Sequence, residues 1–204
     1  KTYIVDPIYN GRMTLPRVIC ACWIWFNHPI DIFTLFVNKH LHIHAGHNWP
    51  YKVLKTALYY KEYTRIFGRD IVMKSEYVCQ EHSYFFRKFK DDNQRLKEAE
   101  RLVRSYAKAK LVITSRIHCA LPCLGLETPV IYLQRGGDTK ASSCRMGGLQ
   151  DLFNVVSVND GRLLPQFSFT KPITKENHPD NKKNWRDLAE KLKTKCRAFI
   201  SDTK

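Results

Sequence analysis

A chain of 204 residues, 44% of them hydrophobic and 26% charged, has the composition of a globular protein and is long enough for one good-sized domain or two small ones. Its charge is less ordinary, because 34 lysines and arginines stand against 19 acidic residues and give a formal net charge of +15. This excess predicts an anionic partner, which could be a phosphorylated small molecule, an acidic polysaccharide, a membrane surface or nucleic acid.

The chain opens with a predicted strand at about residues 3–5 that runs into a turn at Asp6-Pro7, a pattern that differs from that of a signal peptide. A strand that starts so abruptly leads us to expect a further amino-terminal portion. Residues 18–37 are apolar except for Asn27, His28, Pro29 and Asp31 near their middle. These interruptions disfavour a membrane-spanning helix and favour a buried strand, a turn at 27–29 and the start of a buried helix. The alternative is a surface-seeking segment that docks on a bilayer or a partner.

Alternating helices and strands follow. A helix is predicted from Pro50 to about residue 67, then a strand near residues 77–79, and a helix at about 93–109 that Asp91-Asp92 caps. The apolar stripe of this last helix consists of Leu96, Ala99, Val103 and Tyr106. Next come a strand at 111–114, a short helix at 117–126, a strand at 129–133 and a final amphipathic helix at about 184–200. The side chains expected to be buried on that helix are Trp185, Leu188, Leu192, Cys196 and Phe199. This order predicts an α/β fold with a Rossmann-like, mostly parallel sheet flanked by helices.

The segment that carries chemistry is Thr114-Ser115-Arg116-Ile117-His118, between a buried strand and a short helix. In open α/β sheets, ligands bind beyond the carboxyl ends of the strands, where the free N–H groups of helix amino termini favour anions. Arg116 supplies a planar cation there, His118 a group that titrates near neutral pH, and the two hydroxyls further donors. The alternative interpretation is purely structural, with Ser115 capping the helix and His118 packing in its first turn.

Residues 106–133, which read YAKAKLVITSRIHCALPCLGLETPVIYL, closely resemble the signature segment of the polysaccharide pyruvyl transferase family. The family pattern is approximately Tyr-x-x-Ala-x-Leu-Val-x-Thr-Ser-Arg-x-His, followed by an Ala/Leu-rich helix and Thr-Pro-Val. The resemblance is weaker over residues 77–105 and 145–153, and residues 1–70 show none. It implies transfer of a pyruvyl group from phosphoenolpyruvate to saccharide hydroxyls as a cyclic ketal, without a cofactor.

The resemblance also implies site residues. Arg116 and His118 match the motif positions associated with the phosphoenolpyruvate site, and Thr114 and Ser115 belong to the same motif. Arg145 matches a second basic position more loosely, ahead of a Gly-Leu-x-Asp-Leu segment. His82 is a weaker candidate for a family histidine at a strand end. We expect Arg116, His118 and Arg145 to converge on one basic pocket.

The family resembles glycosyltransferases that are built from two facing Rossmann-like domains, the GT-B arrangement. By this resemblance, residues 71–204 form the donor-binding domain, and residues 1–70 are unmatched material that could lie at a domain interface. The acceptor is then a saccharide or lipid-linked glycan, and the expected location is cytoplasmic, with peripheral contact at the inner face of a membrane as an option. A nucleotide-sugar glycosyltransferase and a non-catalytic glycan-binding relative remain the alternatives.

Other residue patterns could in principle form metal or nucleic-acid sites. The histidines at positions 40, 42, 44 and 47 have no neighbouring carboxylate or cysteine, and the pairs Cys20-Cys22 and Cys119-Cys123 lack metal-site spacing. No metal is therefore expected. The seven cysteines form no disulfide pattern and favour a reducing compartment. Charge without a recognition motif does not favour a nucleic-acid partner.

Overall fold

The structure, a computed structural model, describes residues 1–41, 43, 48–135, 148–169 and 172–202. Within these residues six strands form one sheet: β1 (Thr2–Val5), β2 (Glu76–Val78), β3 (Leu111–Thr114), β4 (Val130–Arg135), β5 (Asn154–Asn159) and β6 (Arg162–Pro165). Their order across the sheet is β2-β1-β3-β4-β5-β6, and β1 to β5 are mutually parallel, whereas β6 runs antiparallel to β5. The predicted mixed α/β fold with a mostly parallel sheet is confirmed.

Helices cover both faces of the sheet. Those between β1 and β2 are α1 (Leu15–Asn27), α2 (Pro29–Phe36), α3 (Trp49–Ile66) and α4 (Arg69–Lys74). They share one hydrophobic core with the side chains of Ile4, Ile113 and Ile131. Between β2 and β3 lie α5 (His82–Lys88) and α6 (Asp92–Ala107), and α7 (Ile117–Gly125) joins β3 to β4. Residues of α6 and α7 pack with Tyr3 and Val112 in a second core on the opposite face. Since strand side chains alternate between faces, each of the strands β1 to β5 contributes side chains to both cores.

The connections define a switch point in the sheet. The chain leaves β1 through α1–α4 to reach β2 on one side, and then passes through α5 and α6 to β3 on the other side of β1. The order 2-1-3-4-5 is that of doubly wound sheets, whose crevice opens at the carboxyl ends of β1 and β3. The first residues beyond those two strands therefore lie at the position where such folds bind ligands.

The segment 18–37 is helical, so the predicted buried strand is wrong, although the predicted turn at 27–29 is present at His28. The helix α1 buries Ala21 and Ile24 toward the core and leaves Trp23 and Phe26 exposed. Apolar residues on both faces hide the helical period, and the sequence consequently looks like a strand. Within the described residues, no helix has both the length and the apolar run needed to cross a bilayer. The pair α1–α2 reaches that composition only jointly, with a bend of 106° between the two helices.

Two predicted apolar stripes also need correction. On α6, Tyr106 is buried as expected, but Leu96 is 70% exposed and the second buried position is Leu102. The last helix, α8 (Trp185–Asp202), packs onto the domain through Trp185, while Leu192 and Phe199 stay in contact with solvent. Helical period predicts which side chains share a face, but a partner for that face must come from elsewhere in the fold.

The hairpin β5–β6 was not predicted, although the sequence carries its turn signal. Asp160 and Gly161 have φ values of 44° and 77°, the left-handed conformation that a two-residue hairpin loop needs at both positions. A side chain on Gly161 would meet the Cα of Gly11 at 2.9 Å. The loop after β1 is held against this hairpin by Arg17, which forms an ion pair with Asp160 at 2.8 Å.

Candidate functional site

The site is built where β1, β2 and β3 end. Asp6 directly follows β1, Gln80 lies two residues beyond β2, and Ser115 and Arg116 follow β3. Parallel strands bring these positions to one edge of the sheet, at the switch point between β1 and β3.

Asp6 joins the three strand ends. Its two carboxylate oxygens accept the backbone N–H of Gln80 at 3.0 and 3.1 Å, and Oδ2 also accepts Nε of Arg116 at 2.6 Å. The Asp6 carbonyl accepts the hydroxyl of Ser115 at 2.6 Å. Asp6 is only 8% exposed and has φ = 44°. Asp is among the residues that tolerate this left-handed conformation, so Asp6 suits the turn as well as the ion pair.

Arg116 is held but not buried. Its backbone N–H donates to Oγ1 of Thr114 at 3.0 Å, and its side chain, anchored by Asp6 through Nε, remains 44% exposed. Among the described residues, its terminal nitrogens have no hydrogen-bond partner. A guanidinium fixed at one edge keeps its other N–H donors available for a bidentate contact with a carboxylate or phosphate.

The helix α7 begins immediately after Arg116. Its first internal hydrogen bonds run from the N–H groups of Cys119 and Ala120 to the carbonyl of Arg116, so the amides of Ile117 and His118 belong to the open helix end. Such an end favours an anion beside Arg116. Pro122 lacks an N–H and cannot donate to the carbonyl of His118 four residues earlier, which leaves that carbonyl available for another donor.

His118 is exposed and borders an open groove of about 270 Å³. The remaining lining is mostly apolar and consists of Phe85, Ala99, Leu102, Val103, Tyr106 and Pro122, together with Gln80. Gln80 donates from its side-chain amide to the hydroxyl of Tyr106 at 3.1 Å. Burial raises the pKa of Tyr106 above its usual value, so this hydroxyl stays protonated at neutral pH. An imidazole at the rim of an apolar groove can transfer a proton to a ligand held there.

The structure brings four of the predicted site residues together and does not describe the fifth. Arg116, Ser115, Thr114 and His118 lie together at the β3–α7 junction. Thr114 is fully buried, and its hydroxyl accepts the Arg116 amide, so it shapes the loop rather than facing solvent. Arg145 lies outside the described residues, as do the histidines at positions 42, 44 and 47. Among the described residues no group of three or more metal-ligating side chains could hold an ion.

His82, the weaker candidate, begins α5 and stacks on Phe86 with ring centroids 4.2 Å apart. It is not among the residues that line the groove beside His118. A second described cation at the same edge is Arg135, the exposed last residue of β4.

Sequence reasoning missed Asp6 and Gln80, which complete the site. Asp6 was visible only as an acidic residue after the first strand, and its link to Arg116 spans 110 residues. One signal could have found it: an acidic residue directly after β1 of a parallel sheet lies at the carboxyl edge, where Arg116 was already expected.

No curated protein and no solved structure matches the chain. A family model described as Polysaccharide pyruvyl transferase matches residues 24–136, which is more than half of the chain and includes Gln80, Arg116 and His118. The match also includes residues 24–70, for which the sequence motifs showed no resemblance. The chain therefore belongs to the polysaccharide pyruvyl transferase family.

Proposed function

We propose that this protein transfers the pyruvyl group of phosphoenolpyruvate to two hydroxyls of a saccharide, which become a cyclic ketal. Family membership supports a transferase with a saccharide acceptor. The observation that carries the choice of donor is Arg116, a half-exposed guanidinium that Asp6 fixes beside the open amino terminus of α7. A small dianionic or trianionic donor suits this combination of fixed cation and free amides.

The reaction balances without a redox partner. A proton adds to the methylene carbon of phosphoenolpyruvate, and cationic character develops at the central carbon, which a first sugar hydroxyl attacks. The C–O bond to phosphate breaks, the phosphate leaves, and a second hydroxyl attacks the same carbon to close the ring. Of the two protons that the hydroxyls lose, one replaces the proton delivered to the methyl group and the other leaves with phosphate.

Each residue has a proposed role. Arg116 and the α7 amides bind the carboxylate or phosphate of the donor, and Arg145 adds a second cation. Ser115 and Thr114 hold the loop in shape, the first through the Asp6 carbonyl and the second through the Arg116 amide. His118 donates the proton to the methylene carbon or stabilises the departing phosphate.

The proposal includes the two-domain arrangement that the family resemblance implies. Residues 71–204 form the donor half, with Asp6 added from the 1–70 segment, and a facing domain completes the acceptor side. We also propose a location in the cytoplasm, the compartment that contains phosphoenolpyruvate.

Titration with phosphoenolpyruvate, followed by tryptophan fluorescence or calorimetry, tests the donor. Arg116→Ala should weaken binding by about tenfold or more, because a hydrogen bond to a charged group contributes about 1.5–3 kcal/mol. Arg104→Ala is the matched control, since Arg104 forms an equally short pair with Glu100 on an exposed face of α6. His118→Gln should lower phosphate release in the presence of an acceptor more than it lowers donor binding.

The same titration separates the alternatives. Tighter binding of a nucleotide sugar than of phosphoenolpyruvate would indicate a glycosyltransferase, since its donor would use the same switch-point crevice. Binding of a glycan with neither donor would indicate a non-catalytic relative. Either result would refute pyruvyl transfer.

A further inference from the structure

The surface formed by α1, α2 and the start of α3 is apolar and exposed. Its largest exposed side chains are Ile19 (63%), Trp23 (65%), Phe26 (81%), Ile30 (78%), Phe33 (57%) and Trp49 (70%). The three helices meet around an open groove of about 540 Å³, whose lining includes Phe26 from α1, Phe33 from α2 and Trp49 from α3. We refer to these six side chains as the exposed apolar surface. The opposite sides of the same helices, through Ala21, Ile24 and Ile32, are buried in the core.

From residue 18 to residue 37 the only charged side chain is Asp31, and it is buried. Asp31 accepts a forked pair of bonds from Arg69 at 2.8 and 2.6 Å and the hydroxyl of Tyr60 at 2.7 Å. This segment therefore presents no carboxylate and no lysine or arginine to its surroundings.

The polar side chains on this surface bond to their own helices. Asn27 donates from Nδ2 to the carbonyl of Trp23 at 2.7 Å, and Thr34 donates from Oγ1 to the carbonyl of Ile30 at 2.8 Å. Groups that satisfy themselves in this way do not need water or a partner's donors and acceptors. Protein–protein interfaces usually contain about one hydrogen bond per 100–200 Å² of interface. This surface has few free donors and acceptors for such bonds, which does not favour a protein partner.

Aromatic composition and net charge indicate what kind of partner binds to the exposed apolar surface. Three of the four tryptophans of the chain, Trp23, Trp25 and Trp49, belong to the exposed apolar surface or to the groove within it. Tryptophan is enriched where a bilayer meets water. The net charge of +15 attracts the protein to anionic lipid and makes two copies repel each other.

We infer that the exposed apolar surface inserts into one leaflet of a membrane that contains anionic lipid. Insertion is shallow, because α1 with 13 residues and α2 with 8 are about 20 and 12 Å long and their far sides belong to the folded domain. The two helices meet at a bend of 106° at His28, so both helix axes can lie in the plane of the membrane surface. This inference does not depend on the transferred group, because it concerns a surface apart from Arg116 and His118.

Vesicle flotation with the full chain tests the inference, comparing phosphatidylcholine alone with phosphatidylcholine and phosphatidylserine. The test variant is Phe26→Gln with Phe33→Gln. Its matched control is Leu192→Gln with Phe199→Gln, which removes two exposed apolar side chains from α8 (64% and 71% exposed). All four side chains are exposed, so we expect the unfolding midpoint of each variant to stay close to that of the parent protein.

We expect the parent protein and the α8 variant to float with the anionic vesicles. The partition coefficient of the test variant onto the same vesicles should be lower by about tenfold or more. Brominated lipid should quench the tryptophan fluorescence of the parent protein but much less that of the test variant. Three results would overturn the inference: no flotation of the parent protein, equal flotation of the test variant, or a lipid-insensitive dimer that only the test variant dissociates.

Discussion

Replacing Asp6 with asparagine separates the positioning of Arg116 from the folding of the loop. Asparagine tolerates the left-handed φ of 44° as well as aspartate does, and its Oδ1 can still accept the Gln80 amide. The amide nitrogen, however, replaces the oxygen that accepts Nε of Arg116 at 2.6 Å, so two donors would face each other. The variant therefore releases Arg116 without removing Arg116 itself.

The expected magnitudes follow from burial. A hydrogen bond between charged groups contributes about 1.5–3 kcal/mol, but the Arg116 side chain is 44% exposed, and solvent compensates part of the loss. We expect Asp6→Asn to lower the free energy of unfolding by about 1–2 kcal/mol and to weaken phosphoenolpyruvate binding by roughly tenfold, which corresponds to about 1.4 kcal/mol. Urea unfolding and calorimetric titration measure the two effects.

Asp160→Asn is the matched control. Asp160 has the same φ of 44° and also pairs with an arginine, Arg17, but it lies in the β5–β6 turn. We expect it to change stability while leaving phosphoenolpyruvate affinity within about twofold. Wild-type affinity in Asp6→Asn, or an equal loss in both variants, would refute the positioning role of Asp6.

Gly161→Ala should destabilise the fold by about 1–3 kcal/mol, because φ is 77° and the added Cβ would meet Gly11. Gly125 lies at the end of α7 with open space around it, so Gly125→Ala should stabilise the fold by about 0.5–1 kcal/mol. Thermal unfolding that ranks the two variants in the opposite order would contradict this expectation. Arg69 lowers the pKa of Asp31 below its usual value of 3.8. The stabilisation from Asp31 is therefore complete above that pH and declines as pH falls toward the lowered pKa, so acid titration should show Asp31→Asn and the parent protein converging in stability only below about pH 4. Leu192→Ala should change the free energy of unfolding by less than about 0.5 kcal/mol, because the side chain is exposed. A loss above about 2 kcal/mol would mean that the Leu192 side chain is packed against a partner.

Strands with a fully buried environment were predictable from sequence. Leu111–Thr114 is a short apolar run between turn signals and is buried at every position, so hydrophobicity and flanking residues agree. The capping of α6 was equally predictable, since Asp91 accepts the amide of Gln94 at 2.8 Å. In both cases the information lies within a few residues of the element it defines.

The errors arose where distant parts of the chain decide the outcome. Residues 18–26 favour a strand by composition, and only packing against α3 makes them a helix with a second apolar face toward the outside. The groove beside His118 likewise requires α5, α6 and α7 to meet. For the candidate site, the motif supplied Arg116 and His118, but the residue that holds Arg116 comes from the other end of the domain.

The Asp6–Arg116 pair has a consequence for folding. The two residues are separated by 110 positions, and the chain between them, which contains both crossover connections, forms the loop that closes when β1 and β3 pair in parallel. Contacts of such long sequence separation form late and slowly, since the loop must be closed before the contact is gained. The anion site is then among the last features to form, and an anionic donor stabilises only the finished domain. Recovery of donor affinity after dilution from denaturant should lag behind the return of helical circular dichroism.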